Sequence, residues 1–317
     1  MLSNLLNSPQ WLLPAASLIT FILVFVLNKK LMHLLPGDLG RAYAVNAEKA
    51  KGKPRGAGII FVLVFCVMSL IFAPFSLENS IYLILLALAM LTGYLDDASK
   101  IPWSDYKKGA LDLLVSLGIA LNFALNNSTA INLTIIEKIS GNPCIIEIPA
   151  VVYVILATIL VWMAINVVNC TDGVDGLCTT LSIIGLVSFV VLSPSDFSPF
   201  ALLFVAALLA YLWFNCSPSI MLMGDAGSRT IGVFFAILAM KSGDPLLFIP
   251  FCLIFILDGG LGLIKVFLLR FFKIKLFPNT RMPLHDHFRK EKGWSDTQTV
   301  MRFAIIQTLI CLLLILL

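Results

Sequence analysis

The chain has 317 residues, of which 59% are hydrophobic and 13% are charged. Soluble domains carry about 25% charged residues, so this composition excludes an ordinary soluble enzyme and indicates a membrane protein. The formal net charge of +4 is too small and too dispersed to favour a nucleic-acid partner. The seven cysteines include no Cys-x-x-Cys pair, so neither a zinc site nor a disulfide framework is expected.

Roughly twenty apolar residues cross a bilayer as a helix, and ten segments approach that requirement. The first lacks a preceding basic stretch and a small-residue cleavage site, which favours a retained helix over a signal peptide. The ninth contains LDGGLGLIK, whose glycines and charges predict a bend. The sequence thus predicts an all-α integral membrane protein, with one domain over 1–317. The expected helices are 11–31, 56–74, 80–95, 108–126, 149–168, 177–193, 198–214, 227–241, 245–270 and 300–317.

The distribution of basic residues predicts the orientation of these helices, because lysine and arginine concentrate on the cytoplasmic side of membrane proteins. With the N-terminus outside, only Lys138 and Lys241 of the 22 basic residues fall on the outer side. Ten helices then place both termini outside. The outer loop 127–148 has an apolar–turn–apolar pattern, which predicts a small β-hairpin.

Four polar motifs interrupt the apolar sequence, and this orientation puts all of them on the cytoplasmic face. Ionisable residues at the ends of membrane segments are costly beside lipid and indicate a functional site. The alternative in each case is structural, such as a helix end in water or a capped turn. The motifs are LDDASK at 95–100, NVVNCTDGVDG at 166–176, MGDAGS at 223–228 and PLHDHF at 283–288.

Asp96 and Asp97 are adjacent carboxylates, which repel each other unless a cation or a shared proton holds them. The lysines that follow, Lys100, Lys107 and Lys108, are candidate partners for an anion. These residue types predict a metal or phosphate site at the end of the third helix.

The second motif combines Asn169, Asp172 and Asp175 with Gly173, which permits a close approach of backbone to a ligand. If the next helix began at Asp172, the two aspartates would share one helix face. The third motif puts Asp225 at the start of the eighth helix, where it can cap the helix or offer oxygen to Mg²⁺.

His285 and His287 flank Asp286 within a basic loop. Such histidines can bind a metal, donate to phosphate oxygens or cap a helix, and basic loops also contact anionic lipid. Together, the four motifs suit a Mg²⁺–pyrophosphate substrate, because carboxylates hold the metal while cations and imidazoles hold the phosphates.

The motifs resemble those of the polyprenyl-phosphate N-acetylhexosamine-1-phosphate transferase superfamily, or glycosyltransferase family 4, over essentially the whole chain. Within it, the chain is most similar to the phospho-N-acetylmuramoyl-pentapeptide transferase family, and the last motif favours this family over the GlcNAc-1-phosphate branch. The matching motifs are DDxxK (96–100), NxxNxTDGxDGL (166–177), FN (214–215), MGDxGS (223–228), and PLHxHF (283–288) followed by KGW (292–294).

The resemblance implies ten helices with a bent ninth, a periplasmic hairpin and a homodimer. It also implies a multi-pass protein of the bacterial cytoplasmic membrane, surrounded by membrane lipid, with its active site on the cytoplasmic face. The implied reaction is Mg²⁺-dependent: UDP-MurNAc-pentapeptide and undecaprenyl phosphate give lipid I and UMP, the first membrane step of peptidoglycan synthesis.

By motif position, the resemblance implies that Asp225 binds Mg²⁺ and that Asp96 orients or deprotonates the lipid phosphate. Asp97, Asp172 and His285 complete the expected catalytic set. The expected substrate-binding residues are Lys100, Asn169, Gly173, Asp175, Asn215, Arg281 and His287.

The chain departs from the family pattern at four points, one of which is the apolar Leu222 where the family has a residue expected to stack on uracil. Asp286 stands where the family usually has the middle of three histidines, and GKPRGAG at 52–58 replaces GTPTMGG. Lys53 and Arg55 therefore stand where hydroxyls are usual. A lysine expected one turn into the fourth helix is absent, and Asp112 and Leu114 lie in that neighbourhood.

Three alternatives remain open at this stage. A sister enzyme would move GlcNAc-1-phosphate to the same lipid. An ion-coupled transporter would also have broken helices and intramembrane charges, although its carboxylates would lie near the midplane of the membrane. A non-catalytic lipid-binding scaffold would not depend on the aspartates.

Overall fold

The computed structural model describes residues 10–40 and 51–317, so parts of the predicted domain at 1–9 and 41–50 lie outside the described residues. All ten predicted segments are helical, which confirms the all-α class. The helices are α1 (Leu12–Leu31), α2 (Gly58–Phe72), α3 (Leu77–Asp97), α4 (Asp105–Asn126), α5 (Thr134–Ser140), α6 (Ala150–Thr171), α7 (Leu177–Leu192), α8 (Ser198–Asn215), α9 (Gly224–Lys241), α10 (Pro245–Phe251), α11 (Leu253–Phe272), α12 (Leu284–Glu291) and α13 (Asp296–Leu316).

The lengths of these helices support a multi-pass membrane protein. In the part of the chain that the structure describes, six helices are long and apolar enough to cross a bilayer, namely α1, α3, α4, α6, α8 and α13. The bent pair α10–α11 makes a seventh span if it is counted as one. α2 and α7 are apolar but have only 15 and 16 residues. The number of ten crossings therefore stays a prediction.

The predicted bend in the ninth segment is confirmed, because α10 and α11 meet at 72°. α11 contains a π turn at Ile256–Gly260, a feature that commonly accompanies bends. Gln307 of α13 satisfies backbone groups on both sides of the break: its Oε1 accepts from Ile254 N at 3.0 Å, and its Nε2 donates to Pro250 O at 3.0 Å. An interrupted helix within a membrane needs such hydrogen bonds, because its free backbone groups cannot bond to lipid.

The predicted hairpin is confirmed as a two-stranded antiparallel sheet, β1 (Ala130–Asn132) with β2 (Ile145–Glu147). Its connection differs from a tight turn, because α5 lies between the strands and ends at Gly141. The sheet packs at the C-terminal end of α9: Asn132 N donates to Gly243 O at 2.9 Å. The sheet therefore marks one end of the bundle.

α9 is the central helix, since every residue from Gly224 to Met240 is buried. Glycines bring the surrounding backbones close to it, as small residues do in membrane bundles. A Cβ on Gly58 of α2 would lie 2.1 Å from Gly227 N, and one on Gly93 of α3 would lie 2.5 Å from the Asp225 carbonyl. These contacts hold α2 and α3 against the first turn of α9, which is where the candidate site begins.

Candidate active site

Asp225 lies inside the first turn of α9 and is 6% exposed. It does not act as the N-cap, because Met223 occupies that position. Both carboxylate oxygens instead face cations: Oδ1 is 3.4 Å from Arg55 Nη2, and Oδ2 is 3.6 Å from Lys108 Nζ. The helix N-terminus and two cations therefore surround this carboxylate.

Asp96 and Asp97 end α3 and point to different cations. Asp96 Oδ2 is 2.5 Å from Lys108 Nζ. Asp97 Oδ1 accepts from Arg55 Nε at 2.7 Å, and its Oδ2 accepts from Ala226 N at 3.1 Å. The separate partners relieve the repulsion expected between adjacent carboxylates, and they bring α3 to the same cations as Asp225.

Arg55 is the centre of this cluster. Besides Asp97 and Asp225, its guanidinium contacts Asp38, whose Oδ2 accepts from Nη1 at 2.7 Å. Burial lowers the pKa of the Arg55 guanidinium. The facing carboxylates of Asp97, Asp38 and Asp225 raise it by more than burial lowers it, so the pKa lies above its usual value. Arg55 therefore stays charged at any physiological pH.

Lys108 is the lysine that reaches the site, while the other two candidates do not. Lys107 lies over the ring of Trp103, with 3.3 Å between Nζ and the ring centroid. Lys100 is exposed and forms no ion pair with a carboxylate of the described residues. The cation that α4 contributes to the cluster is Lys108, which lies in the first turn of that helix.

The segment 172–176 is a turn between α6 and α7, so the expectation that Asp172 and Asp175 share a helix face is wrong. Asp172 is half-buried and follows α6 as its C-cap, with its N–H donating to Asn169 O at 3.2 Å. Gly176 has φ +81°, a conformation that ends the turn and lets α7 begin.

Asn169 and Asn215 fix the two ends of this turn. Asn169 Nδ2 donates to Ser228 Oγ at 3.1 Å, on the helix that carries Asp225. Asn215 Oδ1 accepts from Gly176 N at 3.1 Å, while its Nδ2 donates to Met221 O at 3.1 Å. The two amides therefore connect the turn to α9 and to the segment that precedes α9.

Asp175 forms a second polar wall on the other side of the turn. Its Oδ2 accepts from Ser219 N at 2.9 Å and lies 3.7 Å from Lys53 Nζ. Lys53 also donates to Ser219 Oγ at 3.0 Å. Because Lys53 is two residues from Arg55, this wall adjoins the carboxylate cluster.

His285 is 3% exposed and is held by Asp258 of α11. Its backbone N–H donates to Asp258 Oδ1 at 2.7 Å, and Nδ1 lies 2.7 Å from Oδ2. A carboxylate accepts, so Nδ1 carries the proton and Nε2 is directed elsewhere. Nε2 faces Gly173, where an added Cβ would lie 2.3 Å from it. The histidine motif therefore closes against the turn 172–176.

Asp286 lies between two arginines and beside His285, whose Nε2 is 3.8 Å from Asp286 Oδ1. Its Oδ1 is 3.6 Å from Arg289 Nη1, and its Oδ2 is 3.9 Å from Arg281 Nε. His287 Nδ1 accepts from Arg281 N at 3.4 Å, and Arg289 Nη1 donates to Gly173 O at 3.5 Å. These contacts form a cationic edge beside the turn.

The four motifs thus belong to one connected site, with the turn 172–176 between the carboxylate cluster and the histidine motif. Sequence analysis missed Asp38 and Asp258 as site residues. The signal for Asp258 was present, because an ionisable residue inside an apolar segment indicates function by default. Nothing comparable distinguished Asp38.

The donor set of the carboxylate cluster fits Mg²⁺, which takes oxygen ligands and needs only one or two carboxylates plus substrate phosphates. Asp97 and Asp225 both direct an oxygen at the same guanidinium. Among the described residues, no three His, Cys, Asp or Glu side chains form a preformed metal cage. The carboxylate oxygens of Asp97 and Asp225 are therefore of the ligand type that Mg²⁺ takes.

Comparison with known proteins shows the family to which the chain belongs. The family model of glycosyl transferase family 4 matches residues 79–243. The phospho-N-acetylmuramoyl-pentapeptide-transferase of Treponema pallidum (strain Nichols) is 35% identical over an alignment of 327 positions, which covers 97% of this chain and 89% of the relative. The chain therefore belongs to glycosyl transferase family 4, in its phospho-N-acetylmuramoyl-pentapeptide-transferase branch.

Two further relatives are also phospho-N-acetylmuramoyl-pentapeptide-transferases. The protein of Dictyoglomus thermophilum is 32% identical over 269 residues, covering 82% of this chain and 81% of the relative. That of Helicobacter pylori (strain Shi470) is 28% identical over 295 residues, covering 84% and 81%. The part matched by the family model runs from α3 to α9 and holds three of the four motifs.

Proposed function

We propose that the protein transfers phospho-N-acetylmuramoyl-pentapeptide from UDP-MurNAc-pentapeptide to undecaprenyl phosphate, forming lipid I and releasing UMP. The observation that carries this proposal is the cluster of Asp96, Asp97 and Asp225 with Arg55 and Lys108. Phosphoryl transfer needs positioned charge more than a strong base, and this cluster supplies it.

In the proposed reaction, an oxygen of the lipid phosphate attacks the β-phosphorus of the UDP-sugar. The bond from that phosphorus to the bridging oxygen breaks, and UMP leaves with the oxygen. Asp96, held by Lys108, orients the attacking phosphate and accepts its proton when one is present. Attack by an aspartate, followed by transfer from an aspartyl intermediate, is the two-step alternative. Trapping of a covalent phosphosugar on the protein in a single turnover would decide for it.

Asp225 is the proposed Mg²⁺ ligand, with Asp97 beside it. When bound, Mg²⁺ would supply charge neutralisation for the diphosphate and for the leaving UMP. The wall of Lys53, Asp175 and Ser219 is proposed to hold the uridine. His285 Nε2, with the arginines around Asp286, is proposed to face the sugar–diphosphate side.

The protein is proposed to work as a homodimer in the bacterial cytoplasmic membrane, with its site on the cytoplasmic face and both termini outside. The carboxylates support a transferase over a transporter, because they lie at helix ends: Asp96 and Asp97 at the end of α3, Asp225 in the first turn of α9. Transporter sites lie near the membrane midplane.

The proposal is tested by UMP release from purified protein in detergent with undecaprenyl phosphate. UDP-MurNAc-pentapeptide should support turnover and UDP-GlcNAc should not; the reverse preference would assign the sister GlcNAc-1-phosphate activity. Asp225→Asn should abolish UMP release, whereas Asp196→Asn should leave it near wild type. Asp196 is a matched control, because it is 60% exposed and pairs with Lys241 at the other end of α9.

A further inference from the structure

The three contacts of Arg55 differ in strength. Nε to Asp97 and Nη1 to Asp38 are both 2.7 Å, whereas Nη2 lies 3.4 Å from Asp225 Oδ1. Charge-assisted hydrogen bonds of this type are shortest and strongest near 2.7–2.9 Å. The contact with Asp225 is therefore the one that the guanidinium can release while it keeps the other two.

The backbone around Arg55 is fixed on both sides. Arg55 N donates to Pro36 O at 2.8 Å, which joins it to the segment that follows α1. On the other side, Leu222 N donates to Pro54 O at 2.8 Å, and Ala57 N donates to Leu222 O at 3.0 Å. Because Leu222 precedes α9 by two residues, the position of the guanidinium relative to Asp225 is set by the main chain.

The charges of the cluster do not balance. Two cations, Arg55 and Lys108, face four carboxylates, those of Asp38, Asp96, Asp97 and Asp225, which leaves a formal charge of −2 when all are ionised. One divalent cation would neutralise that charge. Yet both oxygens of Asp225 already face a side-chain cation, so a metal ion that approaches Asp225 is repelled by these cations and competes with them for the carboxylate.

We propose that Arg55 is a positioning residue that holds Asp97 through Nε and competes with a divalent cation for Asp225 through Nη2. In the absence of substrate, the guanidinium keeps the buried carboxylates together against their mutual repulsion. Its anchors on Asp97 and Asp38 let it release Asp225 without leaving the site. The inference rests on the proposed function only in taking Asp225 as the metal ligand.

The competition is tested with Mn²⁺ as the probe, by electron paramagnetic resonance of the free ion in titrations of purified, substrate-free protein. Arg55→Gln should bind Mn²⁺ about tenfold more tightly than the wild type, because the substitution removes one positive charge beside Asp225. Arg302→Gln is the matched control, because it also removes one positive charge but Arg302 stacks on Trp294. This variant should bind Mn²⁺ with the affinity of the wild type. Unchanged or weaker binding by Arg55→Gln would overturn the proposal.

Two further variants make the test specific. In an Asp225→Asn background, Arg55→Gln should no longer tighten Mn²⁺ binding; a persisting tenfold effect would show that the competition is not at Asp225 and would overturn the proposal. If Arg55→Gln does not fold, Arg55→Lys replaces it, because lysine keeps the charge but cannot contact three carboxylates. Tighter Mn²⁺ binding by Arg55→Lys supports the proposal, and equal or weaker binding overturns it.

Activity provides a separate readout for the positioning role. In Arg55→Gln, the Mg²⁺ concentration for half-maximal UMP release should fall about tenfold. Its kcat should also fall, because Asp97 loses a partner. A merely structural role would lower kcat without shifting the Mg²⁺ requirement. Failure of the wild type to use UDP-MurNAc-pentapeptide would remove the proposed function, but it would leave the Mn²⁺ comparison standing.

Discussion

At the scale of single residues, the site depends on Gly224, which lies against the carboxylate of Asp97. Gly224 has φ +68°, and a Cβ there would lie 2.2 Å from Asp97 Oδ2. The same oxygen accepts the hydrogen bond from Ala226 N. Because glycine has no side chain at this position, the end of α3 can contact the first turn of α9.

Gly224→Ala is expected to lower UMP release by more than about tenfold, because the new methyl displaces Asp97 and strains the backbone. Gly141→Ala is the matched control: Gly141 has φ +70°, and nothing lies within 4 Å of its Cβ position. It should show the backbone strain alone, as a small fall of the unfolding midpoint with full activity. Equal losses of activity in the two variants would contradict the role of the clash.

At the scale of elements, the bent α11 carries Asp258 to His285. Asp258 is fully buried in the π turn. Its Oδ1 accepts a hydrogen bond from the backbone N–H of His285, and its Oδ2 accepts one from Nδ1 of the same residue. A helix without the π turn would direct this carboxylate differently, since each added residue in a turn rotates the following side chains. The bend is thus part of how the histidine motif is oriented.

Asp258→Asn is expected to reduce UMP release by roughly 10- to 100-fold with little change in the unfolding midpoint. The amide oxygen of Asn still accepts from the backbone N–H of His285. Its NH₂ group can donate to an unprotonated Nδ1, so the tautomer of His285 with the proton on Nδ1 is no longer the required one. The measurement is UMP release beside thermal unfolding in detergent. Full turnover in this variant would mean that the orientation of His285 does not matter for the reaction.

A second contact between elements lies one turn deeper than the site. Arg229 of α9 and Asp112 of α4 form a buried ion pair, with 3.0 Å between Nε and Oδ1. Arg229 Nη1 has no hydrogen-bond partner among the described residues. The pair joins the helices that carry Asp225 and Lys108, and so it sets their separation.

Removal of either partner should leave an unpaired buried charge and cost about 3–5 kcal/mol of stability. Asp112→Leu and Arg229→Leu are therefore each expected to lower the unfolding midpoint strongly, while the double variant should recover most of the loss. Thermal unfolding in detergent measures all four proteins. Additive losses in the double variant would show that the two side chains are not coupled.

At the scale of the whole molecule, α9 separates the site from the sheet. Asp225 lies in its first turn, and Gly243, which binds β1, follows its last. Eighteen helical residues span about 27 Å, which is close to the thickness of the hydrocarbon core. The site and the sheet therefore lie at opposite ends of α9.

The native cysteines can test the orientation. Cys144 is partly exposed before β2, and Cys216 is exposed directly after α8, beside Asn215. In intact spheroplasts, a membrane-impermeant maleimide should label a variant that keeps only Cys144. A variant that keeps only Cys216 should react only after permeabilisation. The reverse pattern would place the site outside.

Much of the fold followed from the sequence because its causes are local. Apolar runs of bilayer length form helices wherever lipid surrounds them, and glycine with charge inside such a run predicted a bend in the segment that forms α10 and α11. The chemistry of the site followed as well, because carboxylates and imidazoles at helix ends are conspicuous in apolar sequence. The family resemblance then linked those motifs to one reaction.

Only the tertiary structure decided which side chains meet. Arg55 and Asp225 are 170 residues apart, and Asp258 and His285 are 27 apart. Whether Lys108 or Lys100 reaches Asp96 depends on how α4 is rotated against α3, which glycine contacts and packing around α9 determine. The sequence by itself thus determined the helices and the kind of chemistry. The pairing of the charges was decided by the tertiary structure, because each pair depends on the orientation of two separate elements.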